Sequence, residues 1–356
     1  MLQMAKLLKI PVTVSKKMNQ KDPVCKKNRK NRVTNLSIKF LQQKINNKNI
    51  HKMKIRILFV LISLNMGTNS FYAQVKNTYI VNKNTAQDLN YLFRNKVMVV
   101  AHRGDWRNAP ENSFPAIQKC IDMGVDMVEI DLQITKDSTI ILMHDKTLDR
   151  TSTGIGLIND KNFKSIDSLY LKNGYGMATS QKVPTLLEAL KLCKNKILVF
   201  LDKNYDYLPE VVKMVKELKM EDQVFYEGNK TYSEIKSKYG NIIDYINYMP
   251  RVSPASSSDT YMMPFLKLKT ESIFIFSFEK KELNDAKNLI KRTKEAKGRI
   301  MLTTLWEDTA GGYNDDLAQI DPDANWGKVI ELGADLICTD RPATLLHYLR
   351  IRGFHD

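Results

Sequence analysis

The apolar run 97–101 (VMVVA) leads directly into His102-Arg103-Gly104. The run 127–132 (MVEIDL) carries Glu129 and Asp131, two residues apart and therefore on one face of a strand, with Val128, Ile130 and Leu132 on the other. Two inward carboxylates are costly in an apolar interior unless a cation holds them. An ion pair with an inward Lys or Arg would meet the same need. A second histidine, His144, closes the segment ITKDSTIILMHD. With a hairpin turn centred near Asp137, antiparallel pairing sets His144 at the level of Ile130, beside both carboxylates. A further run ends in Leu201-Asp202-Lys203, so Asp202 can complete a site of three carboxylates. Lys203 directly follows that acid and should face the opposite side unless the strand has ended.

Three carboxylates without a cysteine ligand favour a hard cation, Ca²⁺ or Mg²⁺, over Zn²⁺. Arg103 and Lys203 add positive charge for an anion, and the planar fork of arginine suits phosphate oxygens. One imidazole can take a proton while the other gives one. A divalent cation, two basic groups and two histidines together suit the cleavage of a phosphodiester. No serine or cysteine stands out as an activated nucleophile. The other polar residues have plainer readings. Glu111 and Asn112 orient the His102 loop and cap the next helix, and Asp145 supports the hairpin. His347 and His355 belong to the surface of the C-terminal helix and tail. Gly311–Asp316 (GGYNDD) reads as a flexible loop with Asp315 and Asp316 solvated. Trp306 either walls the pocket or packs.

The elements that must position these groups recur along the chain. Strands are predicted at 97–101, 127–132, 196–202, 223–227, 244–249, 272–278, 299–305 and 335–339. Helices fall at about 113–123, 184–194, 207–219, 231–239, 258–268, 281–296, 325–332 and 341–350. Near-continuous apolar strands imply burial on both faces. Repeated β-α units of this kind predict an α/β fold, a (β/α)8 TIM barrel, rather than an open doubly wound sheet. No Gly-x-Gly-x-x-Gly turn follows the first strand. Residues 134–182 interrupt the alternation as an insertion between strand two and its helix, on the C-terminal face where such barrels keep their chemistry. Pro184 and Thr185 mark the start of that helix.

The chain holds 55 Lys+Arg against 39 Asp+Glu, a net charge of +16. Nearly all of this excess lies before residue 57, where Asp22 is the single acid. The rest of the chain is close to neutral, which argues against a nucleic-acid partner. From Met53 the sequence has a basic start, an apolar run at 57–66 too short to span a bilayer, and a polar stretch to Ala73. We read 53–73 as a signal peptide cut near Ala73–Gln74 and place the mature domain, 74–356, in the periplasm or outside the cell, without stable membrane insertion. Residues 1–52, rich in Lys and Asn, read as a disordered or non-native extension with Met53 as the start. A native protein retaining residues before 53 on N-terminal sequencing would overturn this. Cys25 falls in the leader, and Cys120, Cys193 and Cys338 sit in apolar runs as free buried thiols.

His102-Arg103-Gly104, Pro110-Glu111-Asn112-Ser113, Glu129-Ile130-Asp131, His144-Asp145 and Arg150-Thr151-Ser152-Thr153-Gly154 resemble, in order and spacing, the glycerophosphodiester phosphodiesterase family. The resemblance continues through Pro184-Thr185-Leu186 to Thr339-Asp340-Arg341-Pro342. It implies a TIM barrel that hydrolyses small-molecule glycerophosphodiesters to sn-glycerol 3-phosphate and an alcohol. By position it implies His102 and His144 as the acid/base pair, Glu129 and Asp131 as ligands of one divalent cation, and Arg103 at phosphate. It also implies attack on phosphorus by a hydroxyl of the substrate's own glycerol. Two departures stand out. Asp202-Lys203 replaces the family's common Glu-x-Lys, and Met301-Leu302-Thr303-Thr304-Leu305-Trp306 stands on the strand where Trp-Thr-x-Asn is frequent. Two rival readings follow: a phosphodiesterase of lysophospholipids or other lipid headgroups, and a binding protein that captures phosphodiesters without turnover. No amphipathic, Lys-rich helix is evident in the sequence to support the lipid reading. Oligomeric state is not encoded in any of these motifs.

Overall fold

The computed structural model describes residues 97–254, 259–268 and 272–356. The leader and signal-peptide expectations, 1–52 and 53–73, lie outside the described residues. Eight parallel strands form a closed ring: β1 (Met98–Ala101), β2 (Met127–Ile134), β4 (Leu198–Asp202), β5 (Val224–Gly228), β6 (Asn247–Val252), β7 (Ile273–Phe276), β8 (Arg299–Thr303) and β9 (Leu336–Thr339). β1 pairs with both β2 and β9, which closes the barrel. The principal crossover helices are α1 (Phe114–Met123), α3 (Leu186–Cys193), α4 (Leu208–Glu217), α5 (Tyr232–Tyr239), α6 (Asp259–Leu266), α7 (Leu283–Glu295) and α10 (Pro342–Ile351). The connection from β8 to β9 holds two single turns, α8 (Asp315–Ala318) and α9 (Lys328–Glu331), with a π-turn at Asp323–Gly327 between them. Among the described residues no helix is long and apolar enough to cross a membrane.

Strand parity divides the core into two layers. Met98, Val100, Met127, Leu198, Phe200, Phe225, Met249 and their neighbours fill the barrel interior. The alternate residues, Val99, Val128, Ile130, Val199 and Leu201 among them, pack outward against the helices. Glu129 and Asp131 share the parity of Met127, and Asp202 that of Phe200, so all three belong to the interior register at the strands' C-terminal ends. Cys120, Cys193 and Cys338 are free and buried, and burial pushes the Cys193 thiol up to about 12.

The insertion carries its own small core of Ile141, Met143, Leu148, Ile158, Ile166, Leu171 and Val183. It opens with β3 (Ile140–Leu142), antiparallel to β2 with Leu132 opposite Leu142, and includes one short helix, α2 (Phe163–Asp167). Bridges Thr147–Leu157, Ser152–Leu171 and Lys172–Ala178 tie its later part into a compact ribbon. The chain returns to the barrel at α3, whose N-cap Thr185 exchanges bonds with Glu188 in a capping box.

Candidate active site

The turn after β1 is shaped by close approach. Gly104 has φ +73, and a Cβ there would lie 2.9 Å from Ala116 of α1, so only glycine lets the His102 loop sit on that helix. Ser113 caps α1 by accepting from the Ala116 N–H, a role the sequence had suggested for its neighbours. Glu111 and Asn112 are thereby released for the site. Asn112, with φ +56, donates its Nδ2 to Asp131 Oδ2 at 2.8 Å and accepts the Asp131 N–H at 3.0 Å.

Each histidine is held at Nδ1 by a carboxylate, which leaves Nε2 for proton transfer. His102 Nδ1 lies 2.8 Å from Asp340 Oδ1, and the same oxygen accepts Trp106 Nε1 at 2.7 Å. Asp340 is fixed in turn, its N–H donating to Asp315 Oδ2 at 2.7 Å. Burial alone would raise the Asp340 carboxyl, but His102, Trp106 and Arg107 outweigh it and hold it low. His144 Nδ1 lies 2.7 Å from Asp145 Oδ1, so Asp145 orients the histidine as well as the hairpin. Arg150 donates to both Asp145 oxygens and to both oxygens of Glu111. Glu111 also accepts from Arg103 at 3.1 Å. One continuous network thus joins Arg103, Glu111, Arg150, Asp145 and His144. Arg150's bonds hold the Asp145 carboxyl far below the usual range.

Glu129, Asp131 and Asp202 converge as the strand register requires. Oxygens from the three lie within 4.8 Å of one another. A hard cation with oxygen ligands at about 2.0–2.6 Å spans such a gap. Burial, followed by the charges of Asp131 and Asp202, pushes the Glu129 carboxyl well up. This crowding of negative charge is what a bound cation would relieve, so the donor set fits one. Glu129 accepts the Arg103 N–H at 2.6 Å. Burial would raise Asp131 too, but Lys203, His144 and Arg103 reverse the direction and hold it low. Arg103 Nε is buried without a hydrogen-bond partner, 3.6 Å from Asp131.

Lys203 meets the exception to the parity argument, because the strand has ended before it. The strand ends at Asp202, and Lys203 takes φ +58, which swings its side chain back toward the carboxylates. Its Nζ donates to Asp131 and lies 3.3 Å from Asp202 Oδ2. One strand further on, Glu227 follows the parity of Phe225 into the interior and pairs with Arg251. Burial first, then Asp202, pushes the Glu227 carboxyl up to about 8 against the pull of Arg251.

Trp306 stands 6.0 Å from the His102 ring, edge to face. Both border a cavity of about 400 Å³ whose other walls include Trp106, Arg150, Lys172 and Gly174. Its lining draws on the His102 loop and the insertion and includes none of the three carboxylates. Trp306 is therefore a pocket wall rather than core packing.

Two polar readings are corrected. Asp315 is buried, accepting from Thr304, Thr339, Trp326 and the Asp340 N–H, and burial raises its carboxyl. Asp316 alone of that pair is exposed, paired with Arg341. His355 is not a surface residue either, since its Nε2 lies 2.9 Å from the buried Asp126. Asp340, Arg150 and the Glu227–Arg251 pair were not assigned to the site from sequence. Asp340 lay within a quoted motif, but its partner is 238 residues away.

The profile of the glycerophosphoryl diester phosphodiesterase family matches residues 102–344. A glycerophosphodiester phosphodiesterase of Caldanaerobacter subterraneus subsp. tengcongensis is 27% identical over 269 residues, covering 72% of this chain and 100% of that protein. Among solved structures, a glycerophosphoryl diester phosphodiesterase from Parabacteroides distasonis superposes with a TM-score of 0.60 at 21% identity, covering 74% of this chain and 92% of that one. A phosphodiesterase of Oleispira antarctica, solved with the product sn-glycerol-3-phosphate, has a TM-score of 0.55 at 19% identity, covering 71% of this chain and 96% of its own. These structural likenesses show a shared fold.

Proposed function

The chain belongs to the glycerophosphoryl diester phosphodiesterase family, and from that premise we propose that it hydrolyses glycerophosphodiesters to sn-glycerol 3-phosphate and an alcohol by paired histidine acid/base catalysis. The observation that carries this reading is the matched treatment of the two histidines. Each has Nδ1 on a carboxylate; His144 is close enough to lower the Asp131 carboxyl, and His102 immediately precedes Arg103, whose N–H donates to Glu129.

In the proposed course, a glycerol hydroxyl of the substrate attacks phosphorus while one histidine takes its proton at Nε2. The P–O bond to the alcohol breaks, and the other histidine protonates the departing oxygen. Water then opens the cyclic phosphate with the two roles exchanged. Asp340 and Asp145 fix the ring orientations and stabilise the imidazolium form. Arg103 and Lys203 meet the phosphoryl oxygens, with Glu111 bracing Arg103. Glu129, Asp131 and Asp202 would hold one divalent cation, Ca²⁺ or Mg²⁺, which supplies positive charge against the phosphoryl oxygens when bound. Asn112 keeps Asp131 aimed at that position. Trp306 and Trp106 wall one arm of the substrate. We place the reaction in the periplasm or outside the cell, on the reading of 53–73 as a signal peptide.

The test is release of sn-glycerol 3-phosphate from glycerophosphocholine, glycerophosphoethanolamine and glycerophosphoinositol, each with Ca²⁺, with Mg²⁺ and with EDTA. Cation-dependent release supports the proposal. A folded protein that binds the cation yet releases nothing from any of the three would overturn it.

A further inference from the structure

Beyond the three-carboxylate cluster, one interior ion pair has no part in the reaction proposed above. Glu227 on β5 stands opposite Met249, one residue past the pairing of Leu201 with Tyr226, and is therefore level with Asp202. Arg251 follows Met249 on β6 with the same parity, one interior layer nearer the strand ends. The pair thus belongs to the C-terminal mouth of the barrel. In the ring of strands β6 is four steps from β1 by either path, so Arg251 stands across that mouth from the His102 loop.

Several contacts fix the pair in place. Asn204, buried just past β4, donates to the carbonyls of Leu201 and Glu227 and ties the two strands together at this level. Tyr261 of α6 donates to the Arg251 carbonyl at 3.0 Å. Glu227 is buried and holds Arg251 at Nε, yet the Arg251 side chain is 47% exposed. Among the described residues no hydrogen bond engages its terminal nitrogens. Arg103 and Lys203, by contrast, lie against Glu111, Asp131 and Asp202. Burial works against the charge of Arg251, but Glu227 and then Asp202 raise its pKa, which sets the guanidinium within electrostatic reach of the cluster. A pair of this kind gains little stability over apolar side chains, and β7 carries the apolar Ile275 beside Arg251. What it provides is a guanidinium pinned along one edge with its outer N–H groups left open. That fork receives a carboxylate or phosphate in two parallel bonds.

A glycerophosphodiester with its phosphorus over the carboxylates has two arms. One enters the cavity beside His102, walled by Trp106 and Trp306. The other runs over β5 and β6 to Arg251. Glycerol carries only neutral hydroxyls, so an oxyanion there belongs to the alcohol.

We propose that Arg251 binds a carboxylate or phosphate carried by the alcohol half of the substrate, so that the protein selects glycerophosphodiesters with a second negative charge. The selection rests on the phosphodiesterase reading above.

Glycerophosphoserine differs from glycerophosphoethanolamine by one carboxylate, and glycerophosphoinositol 4-phosphate from glycerophosphoinositol by one phosphate. For each pair the ratio of kcat/KM values is measured on the full chain with divalent cation present. The wild type should favour the anionic member of one pair or both by about tenfold or more. Arg251→Met should erase that preference, since charge-assisted bonds of this kind are worth roughly 10–100-fold. Dividing by the parent substrate removes any general loss of activity. Should Arg251→Met fail to fold with Glu227 left unpaired, Glu227→Gln/Arg251→Met relieves the stranded charge and reads the same ratio. Preference confined to the serine pair assigns a carboxylate, and preference confined to the inositol pair assigns a phosphate. A wild-type ratio at or below one in both pairs overturns the proposal, as does a preference that survives the loss of Arg251. No release from any of the four substrates sinks the phosphodiesterase reading and the selection with it. Release from the parent substrates without preference sinks the selection alone.

Discussion

Replacing Lys203 with Met should destabilise the protein when divalent cation is withheld and far less when it is supplied. The substitution keeps an unbranched side chain, and Met is no more strained than Lys at φ +58, so the change is one of charge. Asp131 is 1% exposed, and without Lys203 its Oδ1 loses its donor while Oδ2 keeps Asn112 and, at 3.6 Å, Arg103. Removing one member of a buried pair costs about 3–5 kcal/mol. The Lys203 side chain is 29% exposed and Arg103 stays nearby, which lowers the figure to about 2 kcal/mol. For a domain of this size that is a fall of about 4–8 °C in Tm. Scanning calorimetry in EDTA should show it. With saturating Ca²⁺ or Mg²⁺ the cation takes over the neutralisation of Asp131, and the fall should shrink to about 2 °C or less. An equal fall under both conditions, or none in EDTA, refutes the idea that Lys203 and a cation share this carboxylate.

Other outcomes follow from the same geometry. Asp202→Asn removes one of three crowded carboxylates, so Tm in EDTA should hold or rise while calorimetry shows divalent-cation affinity falling about tenfold or more. A cation affinity equal to wild type would remove Asp202 from the ligand set. His102→Ala and His144→Ala should each lower kcat by about 10²–10⁴ in steady-state assays with cation binding unchanged. Asp340→Asn exchanges a charge-assisted bond to His102 for a neutral one, a difference of about 1–2 kcal/mol, so kcat should drop roughly 5–30-fold with KM little changed. His355 adds a pH-dependent element to stability. Burial lowers its pKa, but the bond to Asp126 more than offsets this and raises it above 6.5. The charge-dependent stabilisation is therefore complete below 6.5 and lost as pH rises through the raised value. His355→Ala should cost more Tm at pH 5.5 than at pH 9, and an equal loss at both would refute the pairing.

The parts of the site legible in the sequence are those that depend on strand period. Glu129 and Asp131 could be assigned to one face because side chains alternate, and Met127 shows that this face is the barrel interior. The level of His144 followed from a turn at Asp137, and the observed pairing of Leu132 with Leu142 carries that register on toward Ile130 and His144. Lys203 shows where the same rule stops. Parity holds only while the backbone stays extended, and a left-handed residue immediately after the strand reverses the side chain's aim.

What the sequence hid was pairing at long range. GGYNDD is polar, Gly-rich and acidic, and composition alone describes a solvated loop. Yet Asp315 collects four donors from Thr304, Trp326, Thr339 and Asp340, drawn from three stretches of chain that the pairing of β8 with β9 and the connection between them bring together. Asp340, held by Asp315, then reaches His102 across the β1–β9 seam. The same closure explains His355, whose partner Asp126 precedes β2 at the opposite end of the domain's sequence. In a closed barrel the last strand is the neighbour of the first, so a side chain just after β1 can be oriented by a residue from the C-terminal strand. The acid that aims His102 therefore had to be found in space, whereas the acid that aims His144 stands next to it in the chain.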